Sequence, residues 1–143
     1  MATSPRAAGA KIGEMIEIEQ RLPTPTEYQH LRSAVGWNCP EVADCAAALA
    51  RSIGGVCAVE DGRLVGMGRI VGDVFYSFIV DVVVHPGHQR TGVGSAIVRS
   101  LESVAAHANV TGKVGLVAAV DVVPFYAHLG YEETGSLFMS QNV

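Results

Sequence analysis

The stretch His85 to Gly94, HPGHQRTGVG, decides how this chain is read. An apolar run from Val74 to Val84 leads into it. Beyond it, from Ser95 to about His107, Ile97, Leu101, Val104 and Ala105 recur at helical spacing. A strand therefore enters a polar Gly-rich turn and leaves as an amphipathic helix. Gly92 and Gly94 let the backbone turn tightly and let a ligand approach the main chain. The amides that open a helix have no intrahelical partner and converge on negative charge. Arg90 adds a cation at the rim, and Ser95 a hydroxyl. The loop suits one diphosphate, although on composition alone its glycines could equally be a plain turn. No GxxxxGK[ST] run is present, and no GxGxxG opens a dinucleotide-binding half.

Working outward, Glu14 to Gln20 alternates and predicts a first strand, which Pro23 and Pro25 stop. Residues 1–12 read as a flexible leader, with one domain over 13–143. A short helix begins near Thr26 and a second near Pro40, with Val42, Ala46 and Leu49 as its buried stripe. Asp61-Gly62 lies between two apolar runs and signals a hairpin. A further strand is expected over Val114 to Ala119, a short helix over Asp121 to Leu129 ended by Gly130, and a last strand over Ser136 to Met139. The order is β-α-α-β-β-β, then α-β-α-β. This is an α/β single domain with helices on both faces, and its fourth and fifth strands are joined by a right-handed crossover.

Composition narrows the function. With 143 residues, 49% hydrophobic and 17% charged, the chain has a real core and no disordered composition. A net charge of -4 offers no general field for a phosphate backbone, which argues against nucleic acid. No apolar run approaches the roughly 20 residues that span a bilayer, and no export leader is evident, so no membrane partner is expected. Cys39, Cys45 and Cys57 are an odd set that favours free thiols in a reducing compartment, hence a cytoplasmic protein. His85 and His88 lack a convincing third ligand, so no metal site is assigned.

The run Val84-His85-Pro86-Gly87-His88-Gln89-Arg90-Thr91-Gly92-Val93-Gly94 resembles the acyl-CoA-binding signature of the GCN5-related N-acetyltransferase (GNAT) superfamily, V-x-P followed by [Gln/Arg]-x-x-Gly-x-[Gly/Ala]. Phe125-Tyr126-Ala127-His128-Leu129-Gly130-Tyr131 resembles that family's F-Y-x-x-x-G-[Phe/Tyr] segment, at a fitting separation. The resemblance covers most of the chain from about Glu14 and is strongest over 74–131. It implies the acyl-CoA N-acyltransferase fold, with a mixed sheet splayed between strands four and five. It also implies acetyl-CoA as cofactor and acetyl transfer to an amine.

Carried over by position, the main chain of Val82, Val83 and Val84 would pair with the pantetheine arm. Gln89, Arg90, Thr91, Gly92, Val93, Gly94 and Ser95 would hold the diphosphate, and Phe125 would pack near the arm or the acetyl group. Tyr126 would be the general acid for the leaving thiolate, and the Val82 amide would face the thioester carbonyl. The chain departs from the family at Val122, where many relatives carry an Asn that contacts the arm.

Asp81 interrupts an apolar strand, where an unpaired carboxylate is costly. It is read either as a group that takes the amine proton or meets a substrate ammonium, or as a structural residue. Tyr28, Leu31, Trp37, Phe75 and Tyr76, with Glu27, Asp73 and Asp81, suggest an acceptor pocket for a small primary amine, with an aminosugar or a peptide amine as alternatives. Other readings are a non-catalytic acyl-CoA-binding module and a structural protein. An open sheet edge and apolar helix faces are compatible with a homodimer.

Overall fold

Asp61 and Gly62 both take left-handed backbone angles, φ +49° and +75°, as a two-residue hairpin turn requires. They join β3 (Gly54–Glu60) to β4 (Arg63–Gly72), the centre of a six-stranded sheet. The computed structural model describes residues 10–12 and 15–143. Strands β1 (Ala10–Ile12), β2 (Ile16–Glu19), β3, β4 and β5 (Ser77–Val84) run antiparallel in chain order, and β6 (Val114–Leu116) lies parallel to β5. The long α3 (Val93–His107) makes the crossover between those last two strands.

Helices α1 (Pro25–Ala34) and α2 (Val42–Ala50) cover one face. Thr24 caps α1 in a reciprocal capping box with Glu27. Tyr28, Leu31, Cys45 and Leu49 pack there on Met67 and Val83. On the other face α3 buries Val93, Ile97, Val98, Leu101 and Ala105 against Val56, Ala58, Ile70 and Ile79. The four larger side chains on that stripe are each worth about 1.5–3 kcal/mol of burial. Close approach is possible because β4 presents Gly66 and Gly68. A Cβ on either would come within 2.8 Å of Ile97 or 2.7 Å of Leu101. Met67 between them points to the opposite layer.

Four expectations change. Ala10–Ile12 are a strand paired to β2 rather than leader, while residues 1–9 of that leader, and Glu14 of the first strand, lie outside the described residues. The strand after α3 is only Val114–Leu116. The expected strand over Ser136–Met139 does not form: Leu137, Phe138 and Met139 are 87%, 74% and 86% exposed and join no ladder. A strand needs a neighbouring edge, and three-residue β6 offers little. The short helix is split into a 3-10 turn (Val120–Val122) and α4 (Val123–His128), with Gly130 left-handed after its end.

Candidate active site

β5 pairs with β6 only at Ser77, Phe78 and Ile79. β5 continues to Val84, whereas the chain leaves β6 after Leu116. The edge of β5 from Val80 to Val84 therefore has no β6 partner, and the two strands part. This is the splay implied by the family resemblance.

At the mouth of the gap lies the Gly-rich loop. Gly92 is the N-cap of α3 at φ +87°, and the first intrahelical bond runs from Ala96 N to Gly92 O. Among the described residues none of the backbone amides from Gln89 to Ser95 donates a hydrogen bond. The side chains instead brace the loop. Gln89 Nε2 donates to Val84 O at 3.0 Å, and Thr91 Oγ1 donates to His88 O at 2.5 Å. Arg90 is itself left-handed, at φ +62°. The histidines have local duties: His85 Nδ1 accepts from Gly87 N, and His88 Nε2 pairs with Glu60 Oε2. No cluster of three metal-ligating side chains occurs among the described residues.

The two motifs of the sequence meet here. A Cβ on Gly94 would lie 3.4 Å from the Phe125 ring and 3.8 Å from Val84. Tyr126 packs edge-on to Phe125, with ring centroids 4.9 Å apart, and to Tyr131 at 5.9 Å. Burial pushes the Tyr126 phenol above its ordinary value, so it stays protonated at neutral pH. Its hydroxyl makes no hydrogen bond among the described residues. Tyr131, by contrast, donates to Glu102 at 3.0 Å.

Asp81 is not a free carboxylate. Oδ2 accepts from Tyr28 Oη at 2.6 Å and Arg69 Nε at 2.7 Å, and Oδ1 accepts from Arg32 Nη1 at 3.1 Å. Arg32 also lies over the Tyr28 and Trp37 rings, 5.4 Å from each centroid. Burial, then the bond to Asp81, raises the Tyr28 pKa and keeps it a donor. Asp81 sits at φ +54°, which costs a non-Gly residue about 1–2 kcal/mol. Arg69 pairs with Val80 and Met67 with Val83, so β5 carries one extra residue there. That bulge lets Ile79, Val82 and Val84 all pack on the α3 layer. Strict alternation would put residues three apart on opposite faces.

Of the expected acceptor residues, Tyr28 and Leu31 are core, 4% and 3% exposed, while Trp37, Phe75 and Tyr76 are open to solvent. The acids are engaged. Glu27 pairs with Arg21, and Asp73 accepts from the amides of Phe75 and Tyr76.

Residues 13–131 match the model of the acetyltransferase (GNAT) family. The chain belongs to that family. A soybean (Glycine max) histone acetyltransferase, TAP1, is 33% identical over 118 residues, 74% of this chain and 51% of the soybean protein. The chain thus spans about half the length of that curated relative. Among solved structures, the GNAT family acetyltransferase SP0256 of Streptococcus pneumoniae is 28% identical with a TM-score of 0.72, over 90% of this chain and 100% of its own. SA2161 of Staphylococcus aureus is 26% identical with a TM-score of 0.80, over the same shares.

The acetyltransferase fold brings the sequence-selected residues to one place: the free edge of β5, the amides from Gln89 to Ser95, and Phe125 (centred on Gly94). These groups fit a diphosphate-bearing thioester carrier. The amides are free donors, and the space beyond Gly92 is open to a Cβ. Sequence reasoning missed the Tyr28–Arg32–Arg69 set on Asp81. The spacing of Tyr28 and Arg32 on one turn of α1 was a signal that they share a face. Nothing local in sequence linked them to a strand about 50 residues away.

Proposed function

We propose that this chain is an acetyl-CoA-dependent N-acetyltransferase that acts on the primary amine of a small molecule, by direct transfer in a ternary complex. The observation that carries the reading is the row of unengaged amides from Gln89 to Ser95 beyond the end of β5, whose stretch past Ile79 has no β6 partner. Arg90 adds charge at the rim. The edge of Val82, Val83 and Val84 has no β6 partner, and an amide-bearing arm would pair with it as an added strand, displacing the Gln89 side chain from Val84 O.

When bound, acetyl-CoA supplies the acetyl group as an activated thioester. The chain's part is to hold and polarise. The Val82 amide would face the acyl oxygen, where a fixed dipole stabilises developing negative charge. The Tyr126 hydroxyl, protonated and without a hydrogen-bond partner among the described residues, would donate its proton to the departing sulfur. The amine gives up its own proton to solvent, since Asp81 is committed to three donors. No covalent enzyme intermediate is needed. Cys45 and Cys57 are buried, and Cys39 is exposed. Free thiols fit a reducing compartment, and we place the reaction in the cytoplasm.

The name of the soybean relative, a histone acetyltransferase, favours a second acceptor class, an amine of a protein such as a histone. One experiment tests both. A panel of small amines, aminosugars and lysine peptides is incubated with acetyl-CoA, and products are resolved by mass. A gain of one acetyl group on any member, with matching thiol release, is expected. Tight CoA binding without any product returns the chain to a binding module.

A further inference from the structure

We infer that Tyr28, Arg32 and Arg69 are a lock on the β5 bulge, and so act as positioning residues for the Val82 amide; this rests on the transferase reading above. The bulge places one extra residue between the Arg69–Val80 and Met67–Val83 pairs, and Asp81 within it is left-handed at φ +54°. A non-Gly residue persists in that conformation only where its surroundings determine it. Here the determinant is visible. Both carboxylate oxygens are tied, by a phenol and a guanidinium of α1 and by a guanidinium of β4. Asp81, Arg32 and Arg69 are 14%, 16% and 15% exposed, so the bonds act in a largely dry site. Arg69 is anchored in turn to Ser52 Oγ at 3.2 Å, and Arg32 to Asn38 O at 2.8 Å.

The lock explains what a catalytic carboxylate does not. Two guanidiniums against one carboxylate leave the cluster with net positive charge, which repels a substrate ammonium. Each oxygen already accepts from a phenol or a guanidinium, which favours the charged, unprotonated form. What the cluster does determine is the backbone direction at residue 82. With the bulge, Val82 joins Ile79 and Val84 on the α3 layer, and this stretch of β5 is where its pairing with β6 has already ended.

Asp81→Ala and Asp81→Gly separate the two roles, because Gly tolerates positive φ and Ala does not. With the best amine from the panel, kcat of Asp81→Ala is expected to fall at least about tenfold while KM for acetyl-CoA moves less than about threefold. Asp81→Gly is expected to recover about fivefold of that loss. Tyr28→Phe and Arg69→Met, which keep the carboxylate, are expected to lower kcat about threefold or more. Equal loss in the Gly and Ala variants, with loss of the acidic limb of kcat/KM for the amine, would overturn the lock in favour of an acid–base role. Independently of any turnover, the Val82 amide resonance of 15N-labelled protein is expected to move in Tyr28→Phe and Arg69→Met. A resonance unmoved in both variants refutes the lock. A wild-type chain that turns over no amine refutes the transferase reading instead, and leaves the resonance test standing.

Discussion

Replacing Tyr126 by Phe isolates one hydroxyl. The ring contacts to Phe125 and Tyr131, at 4.9 and 5.9 Å, are retained, and the lost oxygen has no hydrogen-bond partner among the described residues to strand. Stability is therefore expected to change by less than about 0.5 kcal/mol. The catalytic cost is set by the leaving group. General acid catalysis is worth about 100- to 10,000-fold, and a thiol of pKa near 8.5 leaves without great help, so the low end applies. We expect kcat to fall about 100-fold, or about 2.7 kcal/mol of barrier, with KM for acetyl-CoA within about threefold. The active form is the neutral phenol. Its pKa is raised by burial, so activity owed to it is full below the ordinary phenol range and is lost only as pH climbs through the raised value. Steady-state thiol release across pH, with a melting curve for each protein, measures all of this. A Phe variant whose kcat stays within threefold of wild type, or whose KM rises as much as kcat falls, would refute the assignment.

Gly92→Val introduces a branched side chain at φ +87°, facing space that the protein leaves open. The backbone cost is about 1–2 kcal/mol, and CoA affinity is expected to drop at least about tenfold while an acetyl-pantetheine thioester, which lacks the diphosphate, is handled as by wild type. Unchanged CoA affinity, read by calorimetry, would remove the loop from the site. Gly72→Ala puts a Cβ 1.9 Å from Tyr76 O at φ +116°. It should cost at least about 2 kcal/mol, a drop of roughly 5–10 °C in Tm; an unaltered Tm contradicts the turn geometry. Glu27 is pushed upward by burial, but the bonds from Arg21 and Thr24 outweigh this and hold it below its ordinary 4.5. A depressed folded pKa stabilises above the unfolded value and is lost as pH falls through the folded one. The Tm gap between wild type and Glu27→Gln should thus be present at neutral pH and close in acid. A gap independent of pH would show that the Arg21 pair contributes nothing.

Local chemistry was legible where a few neighbouring residues set it. Asp61-Gly62 announced the hairpin because only such residues accept two left-handed positions in succession. The helix after Gly94 announced itself by its apolar stripe, which the structure buries at Val93, Ile97, Val98, Leu101 and Ala105. Pairing was harder to read. Ala10–Ile12 look like leader and are a strand, while Ser136–Met139 look like a strand and are not. In both cases the outcome depends on whether a neighbouring edge is in reach.

The candidate site divides in the same way. By itself the order of residues determined the free amides at Gln89 to Ser95 and the companion motif at Phe125-Tyr126, because turn geometry and helix starts are written within a few positions. Only the tertiary structure decided the state of Asp81. An aspartate in an apolar strand must find partners, but a chain does not say which. Tyr28, Arg32 and Arg69 reach it from α1 and β4 once the sheet is assembled, and their hydrogen bonds make the carboxylate a largely buried tie. Charge is felt through space, and packing alone brings those groups within 3.1 Å.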